Sequence, residues 1–231
     1  MKTTLRWTLS VGLVLASGPT GLGHAAAAAS SETSLAIAIH VRNYAGVAPE
    51  TLTEAEEVAT GIFRKAGVET QWTDTVLIAE NHQVNTTDYT PYTLADIQLS
   101  IFPRVMSDHS GLPNGVMGLA PGAGPDRKIV YIFDNNVEAR FWKLMSVYTS
   151  GSMVRQVSKA QILGHAIAHE LGHLLLNQQV HSAHGIMRGE WGLADFLDMT
   201  RGTLLFTREQ AESLQADVRR RSEQQETLKV N

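Results

Sequence analysis

Cysteine is missing from the sequence of 231 residues. Its absence excludes a disulfide framework, a lipid-modified cysteine and a thiol nucleophile. Any metal ion that the protein holds must therefore be bound by histidine, aspartate or glutamate side chains. The glycine-rich stretch 107–126 also lacks the spacing of a phosphate-binding loop and is interpreted as a long irregular connection.

Long apolar runs and concentrated basic charge are scarce as well. Beyond the N-terminal region, no apolar run is long enough to cross a membrane. The formal net charge is −4, and no segment forms the clustered basic face of a nucleic-acid-binding protein. We therefore expect neither nucleic acid nor a membrane among the partners of the folded domain.

The N-terminal residues have the composition of a secretory signal peptide. Lys2 and Arg6 precede a short apolar run, Trp7–Ala16, and a stretch of small residues, Gly23–Ser30, follows it. We interpret residues 1–29 as a signal peptide, with an uncleaved N-terminal anchor as the alternative. Residues 30–231 then form one domain, secreted or periplasmic, which we expect to be a monomer.

Hydrophobic periodicity predicts an α+β fold. Apolar residues recur at helical spacing in residues 50–66, Val137–Val147, about Gln156 to Leu176, and from Thr207 onwards. Alternating or β-branched runs predict strands at Leu35–Val41, Val68–Trp72, Ile97–Phe102 and Lys128–Phe133, with Val116–Leu119 as a candidate short strand. Between them, Val76–Ala79 is ambiguous and Asn81–Tyr92 is interpreted as a polar loop. We expect a twisted mixed sheet of about four to five strands, a central helix, and an irregular C-terminal subdomain that ends in a helix.

The central predicted helix carries the pattern H-E-x-x-H in His169, Glu170 and His173. Side chains four residues apart lie on one face of a helix, so the two imidazoles can converge on one ion. Glu170 is offset from them, close enough to reach a water on the ion without being a ligand itself. Hydrolysis needs a Lewis acid that lowers the pKa of water and a carboxylate that accepts the water's proton. The pattern supplies both and therefore predicts a hydrolytic zinc site.

The rest of this predicted helix is apolar, as in a helix buried on all sides. Gly172 removes a side chain at a place where a neighbour has to approach. His165 lies on the same face of the predicted helix as His169 and His173. His165 and His173 are about 12 Å apart along the helix axis, too far to bind one ion together. We therefore interpret His165 as a hydrogen-bonded neighbour or a buried core residue.

A catalytic zinc site usually has three protein ligands, so a third one has to be found. In a continuous helix, His181 would lie about 12 Å beyond His173, which means that the helix must stop and the chain must turn back. Asn177 is the candidate for this turn, because asparagine tolerates the left-handed backbone conformation. The other candidate ligands are His184, Glu190, Asp195 and Asp198.

The stretch 168–191 resembles the metzincin clan of zinc metallopeptidases, in which H-E-x-x-H is followed by a helix-ending glycine, a third histidine and a methionine turn. Gly185-Ile186-Met187 is similar to that turn. The clan places the glycine three residues and the third ligand six residues after the second histidine. Here Asn177 and His181 come one and two positions later than those residues.

The resemblance implies the roles of the site residues. His169, His173 and His181 would bind one catalytic zinc ion. Glu170 would be the general base, and Met187 would form the floor of the site. The strand–helix–strand order that precedes the motif agrees with a zincin-like or metzincin-like domain.

The activity implied by this resemblance is that of a zinc metallopeptidase, an endopeptidase acting on a peptide or protein substrate through a zinc-activated water. In the clan, an extended substrate pairs with an edge strand above the motif helix, and Lys128–Phe133 or Val116–Leu119 would serve. One alternative is a non-catalytic zinc- or peptide-binding module on the same scaffold, and another is a small-molecule metallohydrolase. Without cysteine, latency through a thiol-switch propeptide is excluded.

Overall fold

The computed structural model describes residues 34–75, 96–103, 115–121, 127–148, 152–177 and 181–230. Its strands are β1 (Ala36–Asn43), β2 (Glu69–Thr75), β3 (Asp96–Phe102), β4 (Gly118–Leu119) and β5 (Ile129–Phe133). Its helices are α1 (Pro49–Lys65), α2 (Asp134–Val147), α3 (Lys159–Leu175), α4 (Leu193–Arg201) and α5 (Arg208–Val230). The signal peptide, Val76–Ala79, the loop Asn81–Tyr92 and most of 107–126 lie outside the described residues.

The five strands form one sheet in the order β2-β1-β3-β5-β4. Strands β2, β1, β3 and β5 are parallel, and β4 pairs antiparallel with β5. A parallel pair such as β1 and β2 needs a crossover, which α1 supplies. The structure is therefore the mixed α+β arrangement that the periodicity predicts, and its sheet is mostly parallel.

Helices α1 and α3 pack together and cover one face of the sheet. The strand side chains that face them are apolar and buried, as Ile39, Leu99 and Ile132 show. The two helices come into close contact at Gly164, where an added Cβ would lie 2.5 Å from the Ala55 carbonyl oxygen. This contact fixes α3 above the sheet, with the H-E-x-x-H residues in its last two turns.

Helix α3 is bounded by side-chain and backbone signals at both ends. Ser158 and Gln161 cap its first turn reciprocally, through bonds of 3.0 Å in each direction. The helix therefore begins later than the expected Gln156, which belongs to a short 3-10 helix, Met153–Gln156. At the other end, Leu175 is the last helical residue and Asn177 has φ 51°. The predicted stop after Leu176 and the left-handed turn at Asn177 are both confirmed.

The C-terminal part contains a helix that the sequence analysis does not predict, α4. The Asp195 carboxylate accepts from the Gly192 backbone N–H at 2.7 Å and so closes the first turn. Gly202, with φ 65°, ends the helix in the left-handed conformation. The expected C-terminal helix is present as α5, and mutual hydrogen bonds between Thr207 and Gln210 cap its first turn. None of the helices within the described residues is both long and apolar enough to cross a membrane.

Candidate metal centre

His169 and His173 project from one face of α3, as their spacing predicts. Both are buried, at 8% and 6% exposure, and their rings meet edge to face with centroids 4.7 Å apart. Their Nε2 atoms lie 3.0 Å from each other. The two ring nitrogens therefore point toward the same small space beside the helix.

His181 reaches the same space from beyond the turn at Asn177. Its ring centroid lies 5.3 Å from that of His169 and 4.9 Å from that of His173. One ligand nitrogen of each of the three rings lies within 4.8 Å of the others. His181 itself is exposed, so the cluster is buried on the helix side and open to solvent on the other.

The other candidate ligands lie outside this cluster. Within the described parts of the chain, no second group of three or more His, Asp or Glu side chains could share an ion. His184 and Glu190 are exposed. Asp195 is buried in an ion pair with Arg188 at 2.9 Å, and Asp198 lies 3.6 Å from Arg201. The structure thus brings together the three histidines named from the sequence, and their role as ligands stays a prediction.

The orientation of His169 is set by a backbone carbonyl of the 185–187 turn. Its Nδ1 lies 2.8 Å from the oxygen of Ile186, so Nδ1 carries the proton and donates. The same oxygen accepts from the indole Nε1–H of Trp191 at 3.1 Å. This tautomer leaves the Nε2 lone pair of His169 directed at the cluster, as a metal ligand requires.

Met187 packs against α3, and its role as the floor of the site stays a prediction. It is buried, and Gly172 is the residue that admits it, since a Cβ at Gly172 would lie 2.6 Å from Met187 Sδ. Phe206 approaches the same point, with Cε1 at 2.8 Å. The expected close approach at Gly172 is therefore confirmed, and its partners are Met187 and Phe206.

Glu170 is buried between α3 and the short strand β4. Burial raises its pKa to about 8, and a backbone hydrogen bond from Ala120 opposes that rise. The side chain packs against Gly118, where an added Cβ would lie 2.4 Å from Glu170 Cγ. The carboxyl group is therefore held in a desolvated position, in which its carboxylate is a stronger base than that of an exposed glutamate.

Burial also acts on the histidines of α3. Desolvation lowers the pKa of His169 to about 4, although the hydrogen bond to the Ile186 carbonyl acts to raise it. His165, whose Nδ1 lies 2.7 Å from the Gln161 carbonyl oxygen, has its pKa lowered to about 4 for the same reason. His165 lies outside the cluster, in agreement with its interpretation as a buried, hydrogen-bonded neighbour. Both imidazoles are neutral at pH 7, the form in which imidazole binds metals.

Several residues at the site were not identified from the sequence. Gly118, Gly189 and Trp191 touch Glu170, His181 and His169 respectively. Arg127 binds the end of α3. Each of them reaches the site through the packing of the fold. Gly189, like Gly172, lacks a side chain at a point where a neighbouring side chain comes close.

The donor set fits a zinc ion. Three imidazoles with an open side toward solvent are the typical ligands of a catalytic zinc site. Histidines that bind a metal commonly donate their other ring N–H to a carbonyl or carboxylate, as His169 does to Ile186. Glu170, the residue that follows His169 in α3, adds a buried carboxyl group to the same helix.

Comparison with known proteins gives a distant likeness. No protein-family model and no curated protein sequence matches the chain. Among solved structures, the chain is similar to archaemetzincin from Methanopyrus kandleri, with 15% identity and a TM-score of 0.44. The alignment covers 82% of this chain and 99% of that one.

Proposed function

We propose that this protein is a zinc-dependent peptidase with one metal ion bound by His169, His173 and His181. The observation that carries the proposal is the convergence of these three rings, two of them on the helix that also carries the buried Glu170. A zinc ion held there would supply a Lewis acid that polarises a peptide carbonyl and lowers the pKa of water.

Glu170 is the proton carrier in this proposal. Burial raises the pKa of the Glu170 carboxyl, so its carboxylate accepts a proton more readily than that of an exposed glutamate. It can take the proton of the attacking water and then deliver it to the nitrogen of the departing amine. One buried side chain thus acts first as general base and then as general acid.

The substrate strand is proposed to lie along β4. Of the two strands considered from the sequence, β5 has a neighbour on each side, whereas β4 lies at the end of the strand order. Gly118 and Ala120, in and beside β4, touch Glu170 directly. An extended peptide paired with this edge would pass close to the carboxyl group and the histidine cluster. Endopeptidase action and an extracytoplasmic location belong to the same proposal.

The test compares wild type with Glu170→Gln and His181→Ala after loading with zinc. The Glu170→Gln variant should bind one zinc ion per chain and cleave a mixed peptide library at least roughly 100-fold more slowly. His181→Ala should lose zinc affinity, and His184→Ala is the matched control that should not. Wild type that binds zinc but cleaves no peptide would favour the non-catalytic binding module instead.

A further inference from the structure

The end of α3 is held by an arginine from outside the 168–191 segment. The guanidinium Nη2 of Arg127 donates to the carbonyl oxygen of His173 at 3.2 Å and to the side-chain oxygen of Asn177 at 3.1 Å. One of these acceptors belongs to a histidine of the cluster. The other belongs to the left-handed residue that turns the chain toward His181.

Arg127 is in turn fixed by the C-terminal helix α5. The side chain of Arg221, only 2% exposed, donates through Nη1 to the carbonyl oxygen of Arg127 at 2.9 Å. Arg221 is itself paired with Asp217 at 2.5 Å. Burial and the charge of Arg221 lower the Arg127 pKa, and Asp217 opposes this shift. Arg127 is therefore held at both ends: its backbone carbonyl by Arg221, and its guanidinium by the acceptors at the end of α3.

We propose that Arg127 is a positioning residue for His181: it locks the turn at Asn177 so that the third histidine is delivered to the cluster. This inference rests on the proposed function, since it assigns the residue that prepares the metal centre. It concerns metal affinity and does not depend on which bond the protein cleaves.

The physical reason is the geometry of the turn. A non-glycine residue at φ 51° is in a conformation that side chains disfavour, so the backbone at Asn177 needs contacts that hold it there. A cation at the carbonyl end of a helix is also favourable, because the last carbonyl groups carry partial negative charge. Arg127 supplies both with one planar group, which a lysine cannot do equally well.

A second arginine in the same protein provides the matched control. Arg155 Nη1 donates to the carbonyl oxygens of Met145 and Tyr148 at 3.0 and 3.1 Å, at the end of α2. Its contacts are of the same kind, and the helix that it holds carries none of the three histidines. Loss of Arg155 should therefore measure the general cost of removing such an arginine.

The experiment measures zinc affinity by competition with a chromophoric chelator, in full-length variants. Arg127→Met should weaken zinc binding by roughly 10- to 100-fold, as expected for a group that orients ligands. Arg127→Lys, which keeps the charge, should fall between wild type and Arg127→Met. Arg155→Met should leave zinc affinity unchanged, even where it lowers the melting temperature.

Two further variants show the route by which Arg127 acts. Asn177→Gly keeps the left-handed backbone and removes only the side-chain oxygen, so it should lose part of the affinity that Arg127→Met loses, and the double variant should lose no more than Arg127→Met. In a His181→Ala chain, Arg127→Met should have no additional effect on zinc binding. Asn177→Gly, which leaves Arg127 in place, also covers the case in which Arg127→Met folds poorly.

The outcomes separate this inference from the proposed function. Normal affinity in Arg127→Met, beside weak affinity in His181→Ala, would overturn the inference and leave the metal centre in place. An equal loss from Arg127→Met with and without His181 would overturn it too, since Arg127 would then act elsewhere. A wild-type chain that binds no zinc would overturn both.

Discussion

Gly189 lies against the imidazole ring of His181, so closely that an added Cβ would be 2.8 Å from His181 Nδ1. The position of the third histidine is thus limited from both directions along the chain. The turn at Asn177 sets where the ring arrives, and the backbone at Gly189 sets how far it can swing. Glycine at this position leaves the space that the ring occupies.

Replacement of Gly189 by alanine should therefore push His181 away from the other two rings. We expect Gly189→Ala to weaken zinc binding by roughly tenfold or more, with little loss of stability because the ring is exposed. Isothermal titration with zinc checks this. Gly192→Ala is the control, since the nearest atom to its added Cβ is 3.9 Å away, in ordinary contact. Equal zinc affinity in the two variants would contradict the prediction.

Replacement of Gly118 by alanine should act on catalysis and spare the metal. The new Cβ would overlap Glu170 Cγ, at 2.4 Å, and displace the carboxyl group. We expect kcat to fall by roughly 10²- to 10⁴-fold, the usual contribution of a general acid–base group, with zinc content unchanged. Gly61→Ala, on the open face of α1, should keep full activity. A Gly118→Ala protein of normal kcat would contradict the role given to Glu170.

Replacement of Gly172 by alanine should strain the contact between α3 and Met187. Overpacking of this kind costs typically about 1–3 kcal/mol of unfolding free energy. The cost should shrink in the double variant with Met187→Ala, because that change removes the sulfur that the new Cβ meets. Chemical denaturation of the four proteins measures the coupling. Strictly additive losses would show that Met187 does not press on Gly172.

Removal of zinc should destabilise the protein, because the ion would bind the folded chain and not the unfolded one. At free zinc about 1,000 times the dissociation constant, the stabilisation is about 4 kcal/mol. Chelation should therefore lower the melting temperature of wild type and have a much smaller effect on His181→Ala. A wild-type protein whose melting temperature changes with neither zinc nor chelator would contradict the metal centre.

The local part of the site could be predicted from the sequence, because it follows from helix geometry. The spacing of His169 and His173 places both on one face, and the distance to His181 forces a break. Asparagine at position 177 marks where that break falls. These are short-range rules, and the structure agrees with them at each of these positions.

The surroundings of the site could not be predicted, because they come from distant parts of the chain. Gly118 is 52 residues before Glu170 and Arg127 is 50 residues before Asn177, and no local pattern links either pair. Helix α4 was missed for another reason. It has only nine residues, a length over which an apolar stripe is hard to recognise, and it is bounded by Gly192 and Gly202.

The carbonyl group that orients His169 is part of the main chain at Ile186. A change of side chain at position 186 therefore cannot delete the acceptor, as a change at a glutamate or aspartate partner would. Evolution can vary residue 186 among apolar side chains of similar volume without touching the tautomer of the neighbouring imidazole. The hydrogen bond that orients His169 therefore does not depend on which side chain stands at position 186.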